Sequence, residues 1–80
     1  MYGMDTHAYY LRDLGFLIRE EAVKAREEAR GGDDEGREWR QGRKFAYMEV
    51  VSLMQHQAEA FELPLSDLAL DGIEPENDLI

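Results

Sequence analysis

The sequence predicts an all-α fold, an antiparallel two-helix hairpin with a short C-terminal helix. Three observations carry that reading: two long stretches rich in strong helix formers, apolar residues recurring at steps of three and four in both, and the break "GGDDEG" between them.

The first helix is expected over residues 6–30. Asp5 and Thr6 are N-cap residue types, and with Asp5 as the cap, Met4 and Tyr9 occupy the two flanking staple positions. Leu11, Leu14, Gly15, Ile18, Ala22, Ala25 and Ala29 form one apolar stripe along it. Gly31 and Gly32 are a C-terminal stop, residues 31–36 form the loop, and Asp33 or Asp34 is placed to cap the next helix. That second helix is expected over residues 35–63, ending before Pro64, which disfavours helical conformation in the residue preceding it.

So short a loop makes the helices antiparallel, with facing residue numbers summing to roughly 68. Ala29 then meets Trp39, Ala25 meets Gly42, Ala22 meets Ala46, Ile18 meets Val50, Leu14 and Gly15 meet Leu53, and Leu11 meets Gln57. In this register small residues bring the helices close at the loop end, Trp39 closes the base, and Gln57 makes an interhelix hydrogen bond.

"FAYMEVVSLMQHQAEAF" carries more apolar surface than one neighbour covers. At about 100° per residue, Trp39, Ala46, Val50, Leu53 and Ala60 form the stripe expected to face the first helix. Tyr47, Val51, Met54, Ala58 and Phe61 form a second stripe roughly 100° away from it. Burying ~400 Å² of that second stripe on each subunit is worth on the order of 10 kcal/mol before association costs. A homodimer is therefore expected, a four-helix bundle about a two-fold axis, with Tyr10 and Leu17 adding the first helix's share.

"LSDLALDGI" has Ser66 as an N-cap type and Gly72 as a stop, which suggests a short helix over residues 65–71. It is expected to cover only the open end of the hairpin near Phe61, short of Tyr47. The tail, residues 72–80, is expected to be extended or frayed, with Ile73, Leu79 and Ile80 available to dock on a neighbour.

Eighteen acidic against nine basic residues give a net charge of −9, which disfavours direct binding to nucleic acid or anionic lipid. The absence of cysteine removes disulfides as a staple for a small core, leaving oligomerisation or a partner protein. The opening "MYGMDTHAYY" lacks a basic region followed by an apolar run, and no apolar stretch approaches the ~20 residues of a membrane span. A cytoplasmic protein with no membrane partner is expected.

No catalytic constellation emerges. Ser and Thr hydroxyls are confined to Thr6, Ser52 and Ser66, no glycine-rich phosphate loop occurs, and no cofactor is implied. His7 and His56 fall near the same end of the hairpin, but the order His56 then Glu59 reverses the Glu-x-x-His pairing of bundle metal sites, and surface histidines are expected. "REWRQGRK" gathers Arg37, Arg40, Arg43 and Lys44 around Trp39, the one place suited to an anion, although nearby carboxylates favour ion pairing there. The helix–break–helix around Pro64 superficially suits DNA reading, but Asp67 and Asp71 have the wrong sign for phosphates.

The expected function is thus that of a small acidic non-catalytic interaction or regulatory protein, homodimeric through its second helix. An acidic nucleic-acid mimic inhibiting a basic protein is the alternative, with a metal site using His7 or His56 a third.

Overall fold

The computed structural model describes residues 5–32 and 34–80. The expected staple residue Met4 and the capping candidate Asp33 lie outside the described residues. Helix α1 spans Thr6–Arg30, α2 spans Arg37–Ala60, a 3-10 turn covers Leu65–Leu68, and a single-turn helix α3 covers Pro75–Asp78. Among the described residues there is no strand, so the all-α hairpin with a short C-terminal helix is observed.

Asp5 caps α1 as expected: its Oδ1 accepts a 2.8 Å hydrogen bond from the Ala8 amide, satisfying one of the helix's orphan donors. The start of α2 differs from expectation. Gly36, in the left-handed region at φ 78°, takes the N-cap position without a side-chain cap, while the Asp34 carbonyl accepts from Arg37 N–H. Helix α2 also stops earlier, at Ala60. Glu62 turns left-handed (φ 57°) and donates to the Glu59 carbonyl, and Leu63 donates back to the Ala58 carbonyl. This six-to-one closure leaves Pro64 to start the next segment already outside the helix.

Helix α1 buries the stripe its sequence predicts: Gly15, Ala22 and Ala25 are buried, and Leu11, Leu14, Ile18 and Ala29 are partly so. Helix α2 is rotated relative to expectation. Lys44, Val51 and Ala58 are buried on the seam, with Gln41, Tyr47, Met48, Met54 and Gln55 flanking them. Gln41 Nε2 donates to the Ala29 carbonyl at 3.3 Å, so facing numbers sum to roughly 70, close to the expected antiparallel register. Trp39, Ala46, Val50, Leu53 and Ala60 are all exposed instead of facing α1. Gly42 is exposed, with nothing close to it, and so does not serve a tight crossing. Gln57 is exposed as well; the polar contact across the helix pair comes from Gln41.

The rotation follows from the chain beyond Pro64, which packs back along the hairpin instead of fraying. Leu68, Leu70, Ile73 and Leu79 are buried and join Ala22, Val51 and Ala58 in one core. Two helices whose facing residues are largely alanine and glycine cannot build a core alone, and these four side chains supply the missing volume. The expected helix over residues 65–71 is a 3-10 turn that ends at Ala69, itself left-handed at φ 56°. The tail is ordered too, since Pro75 opens α3 and Asp78 accepts from the Glu74 amide at 2.8 Å.

The returning segment lies in one groove of the hairpin, secured by three side chains. Arg19 Nη1 donates to the carbonyls of Ala69 (3.1 Å) and Asp71 (2.6 Å), and Gln55 Nε2 to those of Leu70 (3.0 Å) and Ile73 (2.8 Å). Arg26 Nε reaches the backbone oxygen of Ile80 at 3.4 Å, so the segment extends well past the open end to which the sequence confined it. Gly15 explains the close approach: a Cβ there would overlap the Leu68 carbonyl oxygen.

Two substitutions probe this seat. Gly15→Ala pushes against backbone that cannot move independently of the 3-10 turn, and is expected to cost about 1–3 kcal/mol in urea denaturation. Gln55→Leu removes the donor to two part-buried carbonyls and is expected to cost about 1–3 kcal/mol in the same measurement.

Candidate interaction surface

With one groove filled, the opposite side of the hairpin is left uncovered by the chain's own C-terminal segment. At about 100° per residue, Arg19 and Arg26 lie on the flank of α1 that holds the returning segment, whereas Tyr10, Leu17, Glu21 and Glu28 lie on the other. On α2 the same division puts Met48, Ser52 and Gln55 beside the segment and Arg43, Tyr47, Val50, Met54 and Phe61 on the open face.

This face is apolar over most of its length. Tyr10 and Phe61 are each 67% exposed, Leu53 66%, Leu17 49% and Val50 38%, while Tyr47 and Met54 are half-buried where they pack on the core. Of the residues expected at an interface, Tyr10, Leu17, Tyr47, Met54 and Phe61 share the open face. Val51 and Ala58 do not: Val51 has no accessible surface and Ala58 almost none, because the seam rotates them toward α1 and the core. The stripe of Trp39, Val50 and Leu53, expected to be hidden, takes their place.

At the loop end the face becomes charged. Arg43 Nη2 lies 3.1 Å from Glu21 and its Nη1 2.9 Å from Glu28, so one guanidinium ties α2 to two carboxylates about two turns apart on α1. The same group sits 5.2 Å from the Tyr47 ring centre and 5.9 Å from that of Trp39, close enough for cation–π attraction to both. Trp39 therefore packs against Arg43 on the surface and does not close the base of the hairpin.

The suspected anion site is only partly assembled. Trp39, Arg40 and Arg43 line an open cavity of about 550 Å³ together with Lys24, Glu28 and three loop glycines. Arg40 is turned to the Glu35 carbonyl (2.8 Å), and Arg37 lies outside this cavity, 3.8 Å from Asp34. Lys44 is absent from it altogether, buried on the seam with its Nζ 4.5 Å from the Phe45 ring centre. The expected ion pairing is present, with Glu21 as a partner the sequence did not single out. His7 and His56 are both exposed, and among the described residues no three His, Asp or Glu side chains converge to hold a metal.

No helix among the described residues is long and apolar enough to cross a membrane. No family model, curated protein or solved structure matches the chain.

Arg43→Ala is expected to lower stability by about 1–2 kcal/mol, since it removes two charge-assisted hydrogen bonds and the stem covering Tyr47. Thermal unfolding followed by circular dichroism checks this, and part of the loss should disappear at high salt.

Proposed function

We propose that this chain is a small acidic interaction module without catalysis, working in the cytoplasm as a homodimer whose second copy covers the open face of the hairpin. The observation that carries the proposal is the asymmetry of the two sides. One groove is closed by the chain's own segment down to Arg26, while Leu17, Val50, Leu53 and Phe61 stand exposed on or beside the other.

Contiguous apolar surface of this extent is uncommon on a monomer and marks an association site. The dimensions are adequate. The two long helices, of 25 and 24 residues, run about 36–38 Å, so the face they present side by side is on the order of 800 Å², close to the ~800 Å² that each partner contributes to a standard stable interface. A second hairpin laid on this face completes a four-helix bundle, with the two returning segments on its outer sides. The acidic surplus keeps the assembled outer surface soluble and discourages nonspecific contact with nucleic acid.

Light scattering across a dilution series is expected to give the mass of two chains. Leu53→Glu should leave the helical circular dichroism intact and weaken association ~100-fold or more, because a carboxylate enters the interface twice per dimer. A single-chain mass for the unaltered protein at every concentration would falsify the proposal.

A further inference from the structure

The exposed row on α2 has a regular spacing that bears on how two copies could meet. Trp39, Arg43, Ala46, Val50, Leu53, Gln57 and Ala60 alternate steps of four and three, the spacing of a coiled-coil seam, and none of them is buried within the chain. Val50 is also the centre of matched positions on this side of α2, some in the row and some beside it. Trp39 and Phe61 lie equally far on either side of it, as do Arg43 and Gln57, Ala46 and Met54, and Tyr47 and Leu53.

We infer that two copies associate with α2 packed antiparallel on α2, Val50 sitting on the two-fold axis against Val50 of the second copy. This rests on the self-association reading above and specifies its geometry. A two-fold axis perpendicular to an antiparallel helix pair brings residues equidistant from the centre together, so each pair just named becomes a contact between subunits. The pairs are chemically matched. Trp39 and Phe61, each 67% exposed, cover one another at both ends of the seam. Arg43 offers its guanidinium edge to the Gln57 amide oxygen, Ala46 receives the longer Met54, and Tyr47 packs on Leu53.

The accompanying helix is compatible with the same axis. With facing numbers summing to roughly 70, Val50 lies level with about residue 20 of α1, so the same axis packs α1 antiparallel on α1 of the second copy, with facing numbers summing to about 40. The competing arrangement, with both loop ends together, packs α1 on α2 of the second copy. It separates the two Val50 side chains and brings the two Met54 side chains toward the axis.

The chain has no cysteine, so single-cysteine variants report the arrangement directly. Val50 is partly exposed, and Val50→Cys leaves the core intact. At a concentration where light scattering shows two chains, a short bismaleimide is expected to link Val50→Cys into covalent dimers several-fold more efficiently than Met54→Cys. The emission of Trp39, the sole tryptophan, should shift to shorter wavelength on dimerisation, and Phe61→Ala should abolish that shift. Preferential linking of Met54→Cys, or efficient linking of neither variant in a sample of dimeric mass, overturns this arrangement and leaves self-association standing. A single-chain mass throughout overturns both.

Discussion

The contact of the Leu68 backbone with Gly15 is the constraint around which the molecule is arranged. Only a residue without a side chain lets the 3-10 turn lie directly on α1, and only from that seat can the following residues put Leu70, Ile73 and Leu79 between the helices. With large side chains entering from that flank, α2 must present Val51 and Ala58 toward them, and the Trp39–Val50–Leu53 row consequently turns outward. A backbone-to-backbone approach on one side of the hairpin thus determines which surface is available on the other.

The polar groups of the returning segment explain why the seam carries residues that look misplaced. A chain lying in a groove without forming a helix or sheet leaves carbonyls to be satisfied, and desolvated carbonyls are costly. Gln55 on α2 and Arg19 and Arg26 on α1 reach them from the two walls of the groove. These side chains take the place of a β-ladder. Lys44 fills a seam position by burying its aliphatic stem, as long cationic side chains commonly do.

Much of the fold was legible in the sequence, since helix propensity, the Asp5 cap and the stripe from Leu11 to Ala29 act locally and keep a clean period. The rotation of α2 was not, because its true seam includes Gln41, Lys44 and Gln55 and therefore reads as less apolar than the row that faces outward. Gly15 did carry a signal. A glycine in the interior of a long helix costs about 1 kcal/mol relative to alanine, and such a cost suggests a close backbone approach. Five of the seven expected interface residues fall on the open face: Tyr10 and Leu17 on α1, and on α2 Tyr47, Met54 and Phe61, which lie on the side of their stripe nearest the exposed row. Val51 and Ala58 were misplaced because they lie on the flank of the second stripe farthest from the first, which the rotation of α2 turns into the seam.

The hydrogen bonds from Arg19 and Arg26 that hold the returning segment join residues 50 to 54 positions apart. A ribosome adding ~5–20 residues per second completes both long helices roughly a second or more before their last core residues emerge. During that interval the nascent hairpin has two uncovered sides, and mutual repulsion among its many carboxylates opposes contact with its neighbours on the same message.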